Sequence, residues 1–126
     1  ATYKLPPHVT RLERKAAPRI SEPPRDTPEW WLWRWSAMPT LSEVPGVIHT
    51  GNSAWGALGV GYLLGFRDFL LIGVDATADE RTTGGRPKNL SHLPLLFRSA
   101  LHQVTLATVG TMPGIPTKTL EQWMNQ

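Results

Sequence analysis

The segment from Val47 to Asp75 constrains the fold of this chain more than any other part of it. It opens with the short β-branched run Val47–His49 and closes with a continuous apolar run over residues 69–74. Between the two runs, apolar residues recur at helical spacing over residues 54–64, which predicts a helix ended by Gly65. An apolar run without alternation is typical of a parallel-sheet strand that is buried on both faces. We therefore predict a strand–helix–strand crossover unit of a Rossmann-like sheet, in which the two strands are neighbours.

Shorter patterns predict the other elements after this unit. Ser91 is expected to cap a helix that runs to His102, with Pro94 tolerated in its first turn. The run Val104–Val109 predicts another strand. Thr117 is expected to cap a last short helix over residues 118–124.

The length of 126 residues allows one small domain, which we place at residues 29–126. Its predicted fold is α/β, a small three-layer Rossmann-like parallel sheet of about three strands. The chain has no cysteine, which excludes disulfides, cysteine-ligated zinc and thiol nucleophiles. Its histidines are scattered and no metal-ligand spacing occurs, so no metal is expected. No apolar run approaches the roughly 18 residues of a membrane span.

Residues 1–28 form a proline-rich basic arm, with six basic side chains against three acidic ones. Proline removes the N–H that helices and sheets use, so the arm should be extended, with one helical turn around Val9–Ala16. An arm of this composition cannot offset its ordering entropy alone. We expect it to lie either on a neighbouring chain or in a groove of its own domain.

The segment 29–35 contains four of the six tryptophans. Their alternation with Leu32 and Arg34 predicts a short strand, and a single helical turn also fits. Clustered tryptophans anchor cores and interfaces, and they can also stack bases or sugars. We predict that residues 1–35 contact further copies of this chain or neighbouring protein subunits. The candidate interface residues are Trp30, Trp31, Trp33 and Trp35.

A candidate ligand site follows the first predicted strand, because ligands of open α/β sheets bind outside the carboxyl ends of the strands. Gly51 allows a tight turn there, and Asn52 and Ser53 place polar side chains at the start of the helix. Exposed N–H groups and the helix dipole favour an anion at that point. Asp75, after the next strand, is placed to receive a ribose hydroxyl or a metal-bound phosphate. An ordinary helix cap and an ordinary loop aspartate explain the same residues.

The stretches Gly51–Leu58, Gly61–Gly65 and Phe69–Asp75 resemble a pattern of bacteriophage proteins of unassigned function. Those sequences have Asn-Ser-Gly before a helix, then Leu-Gly-Ala, then an apolar strand that ends in Leu-Gly-x-Asp. Similar patterns occur in sialyltransferases of the Campylobacter type and in archaeal hydroxymethylpterin pyrophosphokinases. Ala54 stands where those sequences have Gly, and the arm replaces their amino-terminal strand with its Gly-x-Gly-Pro-Ser-like turn.

The resemblance implies a Rossmann-like sheet that binds a nucleotide or nucleotide-sugar, in a host-cell cytoplasm or a virion. It makes Asn52 and Ser53 ligand contacts, puts Asp75 at the pocket floor, and offers His92 or Asp75 as the catalytic base. Three hypotheses follow. The first is a nucleotide-binding protein of glycosyltransferase-like origin, with catalysis kept or lost. The second is a virion assembly protein that uses the arm and the tryptophans. The third, binding of nucleic acid through the arm, is least favoured because residues 29–126 carry balanced charge.

Overall fold

A computed structural model describes residues 11–74 and 90–125 of the chain. Residues 1–10, 75–89 and 126 lie outside the described residues, and the candidate site residue Asp75 is among them. The elements, in chain order, are β1 (Glu13–Lys15), α1 (Pro28–Arg34), β2 (Val47–His49), α2 (Ser53–Leu63), β3 (Asp68–Leu71), α3 (Leu93–Ser99), β4 (Thr105–Thr108) and α4 (Leu120–Met124).

The strands in the described part of the chain form two parallel sheets of two strands each. In the first sheet β1 pairs with β2, with Arg14 opposite Ile48, and in the second β3 pairs with β4, with Phe69 opposite Leu106. The mixed α/β class with parallel strands is thus confirmed. The expected pairing of the strands on either side of α2 is wrong within the described residues, because β2 and β3 belong to different sheets. Each parallel pair is instead joined across a different helix, α1 or α3.

Helix α2 matches its prediction to within one residue at each end. Asn52 caps its first turn, and Gly65 follows the helix with a φ of 101°, a left-handed conformation that glycine adopts without strain. The tryptophan segment was predicted as a strand first and a helical turn second, and the helical alternative is confirmed by α1. The Thr27 hydroxyl accepts the Trp30 N–H at 3.2 Å and Pro28 starts the helix, so the start signals outweigh the alternation.

The last two helices begin later than expected. His92, not Ser91, is the residue before α3, and its side chain makes no capping hydrogen bond. Thr119, not Thr117, caps α4, and it forms a reciprocal capping box with Gln122. Thr117 instead bridges to Thr108 in parallel fashion, which extends the second sheet beyond β4.

The core lies between α2, α3 and the second sheet. Trp55 meets Phe97 edge to face with ring centroids 5.5 Å apart, and both side chains are buried. Strand β4 is buried over most of its length. Strand β3, which was expected to be buried on both faces, buries only Leu71, and the adjacent Ile72 is 64% exposed. That prediction is therefore wrong for the described residues, since burial on both faces needs a packed layer on each side, and Asp68 and Ile72 are exposed.

The described part of the arm lies on its own domain. Residues Glu13–Lys15 form β1, so the helical turn expected around Val9–Ala16 is wrong over these residues. The Arg19 guanidinium lies 4.5 Å from the centre of the Trp33 ring, and the Trp30 indole N–H donates to the Glu22 carboxylate at 2.8 Å. Within residues 11–74 and 90–125, no helix has the length and apolar character needed to cross a membrane.

Candidate functional site

The turn after β2 is fixed by three hydrogen bonds of Thr50 to two other segments of the chain. The Thr50 N–H donates to the Lys15 carbonyl at 2.9 Å, and the Met38 N–H donates to the Thr50 carbonyl at 2.8 Å. The Thr50 hydroxyl donates to the Ser36 carbonyl at 2.6 Å. The start of α2 is therefore held both by the arm and by the segment after α1, and the backbone groups of Thr50 are satisfied.

Asn52 has the ordinary role of a helix cap. Its side-chain carbonyl accepts the Trp55 N–H at 2.9 Å. Because that oxygen is engaged within the helix, the side-chain NH₂ group is what Asn52 offers to a ligand. The N–H groups of Ser53 and Ala54, in the first turn, have no acceptor inside the helix. This end of α2 is thus a source of donors and favours a ligand with acceptor oxygens.

Gly51 is required for packing and not for a left-handed turn. The backbone of Gly51 does not have a positive φ, unlike that of Gly46 or Gly65. A Cβ at this position would lie 2.5 Å from Cδ1 of Trp55, whose side chain is 1% exposed. The Trp55 indole N–H also donates to the Met38 carbonyl at 3.0 Å, which fixes the ring. Glycine is thus needed at position 51 because the backbone lies close to the Trp55 indole, and not because the turn is tight.

A cavity of about 320 Å³ opens at this end of α2, and we call it the α2 pocket. It is lined by Trp35, Gly51, Asn52, Leu90 and His92. Three of the residues singled out from the sequence as ligand-binding or catalytic therefore share one cavity, although His92 is remote from the other two along the chain. Ser53 is exposed and does not line it.

His92 is buried, with 3% of its surface exposed, and it reaches the α2 pocket from the start of α3. Asp75, the other candidate base, lies outside the described residues. The described lining holds no carboxylate and no lysine or arginine, so its polar groups are those of Asn52, His92 and the backbone. Across residues 11–74 and 90–125, no group of three or more acidic, histidine or cysteine side chains is arranged to hold a metal ion.

The four clustered tryptophans have different environments. Trp30 is buried, whereas Trp35 is 50% exposed and forms one wall of the α2 pocket. The Trp35 ring stacks on Trp31 with centroids 6.2 Å apart and an angle of 24° between the planes. The cluster is thus partly core and partly pocket wall, and its predicted contacts with other subunits remain a prediction. No local signal in the sequence joins Trp35 to Gly51, because their proximity follows from the tertiary fold.

A polar cluster on the far side of α2 has a structural explanation. The Tyr62 hydroxyl donates to the Glu43 carboxylate, and the Gln103 amide donates to the same carboxylate at 3.1 Å. These bonds lower the pKa of Glu43, and the neighbouring carboxylate raises the pKa of Tyr62. The Arg67 guanidinium stacks 4.1 Å from the Tyr62 ring. The cluster ties the loop before β2 to α2 and to the segment before β4.

No protein-family model, curated protein or solved structure matches this chain. Its function is therefore inferred from the chemistry of the α2 pocket.

Proposed function

We propose that this chain is a phage-type, Rossmann-like protein that binds a nucleotide or nucleotide-sugar in the α2 pocket. The observation that supports it is the meeting of Gly51, Asn52 and His92 around one cavity at the amino end of α2. A strand, a tight turn and the start of a helix are the parts from which phosphate sites of α/β proteins are built.

The lining suits a ligand with a flat apolar part and an acceptor-rich part. Trp35 and Leu90 offer apolar surface, and base stacking on an aromatic ring is worth about 1–3 kcal/mol. The Asn52 amide and the first N–H groups of α2 offer donors to phosphate or sugar oxygens. The volume of about 320 Å³ lies at the lower end of the range for small-molecule sites, so a mononucleotide fits it better than a dinucleotide.

Catalysis is a separate part of the proposal. A glycosyltransferase-like reaction needs a base within hydrogen-bond reach of the acceptor hydroxyl, and His92 is the described group that lines the pocket and can take a proton. Asp75 remains the proposed second polar contact and alternative base. A chain that has lost turnover would keep the binding site and lose only this step.

Calorimetric titration with CMP, UMP, AMP and GMP tests the binding. We expect one of these nucleotides to bind and Trp35→Leu to weaken it about 5- to 150-fold, the equivalent of about 1–3 kcal/mol. Trp123→Leu is the matched control, because that tryptophan lies in α4 and does not line the pocket. Ser53→Trp, which crowds the start of α2, should also reduce binding. Flat titrations with all four nucleotides would remove the proposal.

A second candidate function is assembly, as a structural subunit of a virion. Large apolar side chains stand exposed on the arm and around β3, including Ile20 at 87%, Phe66 at 62% and Ile72 at 64%. Contiguous exposed apolar surface marks contacts with other proteins, and this second proposal requires these side chains to contribute to such a surface. Native mass spectrometry reports subunit number and retained ligand together. A monomer that carries a nucleotide favours the first proposal. An oligomer that carries no nucleotide, and that dissociates in the Ile20→Asp variant, favours the second.

A further inference from the structure

A cavity of about 270 Å³ opens at the amino ends of the paired strands β3 and β4, and we call it the Arg67 cavity. Arg67 comes directly before β3, and residues 101–105 lead into β4. The cavity is lined by Arg67, Leu101, His102, Gln103, Val104 and Thr105. It shares no lining residue with the α2 pocket, so a ligand bound here is independent of the proposed nucleotide site.

The Arg67 guanidinium is held in place by the end of α2. It lies 4.1 Å from the centre of the Tyr62 ring. Its Nη1 group donates to the Tyr62 carbonyl at 2.9 Å and to the Phe66 carbonyl at 2.8 Å. Its Nε and Nη2 groups make no hydrogen bond to another residue within 11–74 and 90–125. The N–H donors of a positioned cation therefore remain for a ligand.

The charges around the cavity suit a ligand with one negative charge. Neither Arg67 nor His102 forms an ion pair with a carboxylate in the parts of the chain that the structure describes. Glu43 nevertheless lies within electrostatic reach of both. The hydrogen bonds from Tyr62 and Gln103 lower the pKa of Glu43 most, and the charges of the two cationic side chains lower it further. A second negative charge on the ligand would therefore be repelled by Glu43.

The rest of the lining suits a ligand with an apolar body. Leu101 and Val104 place apolar surface beside the cationic side chains. The fork of an arginine matches the two oxygens of a carboxylate. The volume is just below the range of about 300–1,000 Å³ that is usual for ligand sites, so the ligand is small. We propose that the Arg67 cavity binds a small organic carboxylate, which pairs with the Arg67 guanidinium and rests its apolar part on Leu101 and Val104.

An NMR titration of the isotope-labelled 126-residue chain, with benzoate as the probe, tests the proposal. We expect saturable shifts of the Arg67 Nε–H and of the Thr105 amide, which donates to the Arg67 carbonyl at 2.8 Å. The buried Trp55 indole N–H serves as the internal control and should not shift. Benzamide has the shape of benzoate without its charge, and it should bind at least about tenfold more weakly. Inorganic phosphate, which carries more negative charge at neutral pH, should also bind more weakly.

Variants locate the binding in the cavity. Arg67→Gln should raise the Kd of benzoate at least about tenfold, because it removes the charge and the fork. Arg98→Gln is the matched control and should leave the Kd unchanged, since Arg98 also donates to a main-chain carbonyl but does not line the cavity. Arg67→Lys keeps the charge without the fork and should raise the Kd about threefold or more, which provides a second test where Arg67→Gln fails to fold.

Three results would overturn the proposal. The first is the absence of a saturable shift of the Arg67 Nε–H with benzoate. The second is binding of benzamide or inorganic phosphate as tight as that of benzoate, because the site would then not recognise a singly charged carboxylate. The third is an unchanged Kd in a folded Arg67→Gln or Arg67→Lys variant, because benzoate would then bind elsewhere.

Discussion

The same substitution at two glycines five residues apart should change stability in opposite directions. Gly51→Ala places a Cβ 2.5 Å from Cδ1 and 2.9 Å from Cγ of Trp55, whereas ordinary contact begins near 3.4 Å. The indole cannot retreat, because it is buried and hydrogen-bonded to Met38. Overpacking of this kind costs about 1–3 kcal/mol, offset by about 0.4–1 kcal/mol from the less flexible unfolded chain. The net loss of unfolding free energy is about 1–2 kcal/mol.

Gly56→Ala is the matched variant inside α2. Its Cβ would lie 3.8 Å from Cδ1 of Ile48, which is ordinary van der Waals contact. Alanine in a helix interior is more favourable than glycine by about 0.5–1 kcal/mol, so this variant should be more stable than the parent.

Thermal unfolding followed by far-ultraviolet circular dichroism measures both effects. For a domain of this size we expect a Tm lower by about 3–8 °C for Gly51→Ala and higher by about 2–4 °C for Gly56→Ala. Urea midpoints at constant m-value provide the control that the denatured states are alike. Equal Tm values for the two variants, or a more stable Gly51→Ala, would refute the close contact between Gly51 and Trp55.

Three further predictions concern stability. The hydrogen bond from Tyr62 lowers the pKa of Glu43 below its ordinary 4.5. The stability that this bond contributes is therefore present above pH 4.5 and is lost as the pH falls through the lowered pKa of the folded state. Tyr62→Phe should weaken this loss of stability at acid pH, measured by urea unfolding at a series of pH values. The same bond raises the pKa of Tyr62 above its ordinary 10, so the stability that it contributes is present below pH 10 and is lost as the pH rises through the raised pKa of the folded state. Tyr62→Phe should therefore also weaken the loss of stability at alkaline pH. Thr27→Ala removes the cap of α1 and should cost about 1 kcal/mol, with Thr27→Ser retaining most of it. Phe97→Ala, at a side chain with no exposed surface, should cost about 3–5 kcal/mol and leave a calorimetric transition at much lower temperature or none.

The elements with strong local signals could be predicted from the sequence. Strand β2, helix α2 and strand β4 lie within two residues of their predicted bounds, because β-branched runs, a helical apolar stripe and Gly65 mark them. The pairing of the strands could not be predicted in this way. Partner choice depends on contacts between distant segments, such as Arg14 opposite Ile48, and the local pattern of a strand carries no information about them.

The candidate site was predictable in part for the same reason. Gly51 and Asn52 follow from the position of a turn between a strand and a helix. Trp35 lines the pocket because of where α1 packs, and no sequence motif predicts that position. The reason for Gly51 was also out of reach, because the requirement comes from a buried indole four residues further on and not from the backbone conformation.

The bonds that attach the arm have a consequence for the α2 pocket. The Lys15 carbonyl holds the Thr50 N–H, and the Ala17 N–H donates to the Ser36 carbonyl, beside Trp35. One extended segment therefore holds the residues next to two lining residues of the cavity, Trp35 and Gly51. A protein or protease that detaches this segment must also loosen both of these parts of the pocket lining. By thermodynamic linkage, a bound ligand stabilises the attached segment by the same free energy that the attached segment adds to ligand binding.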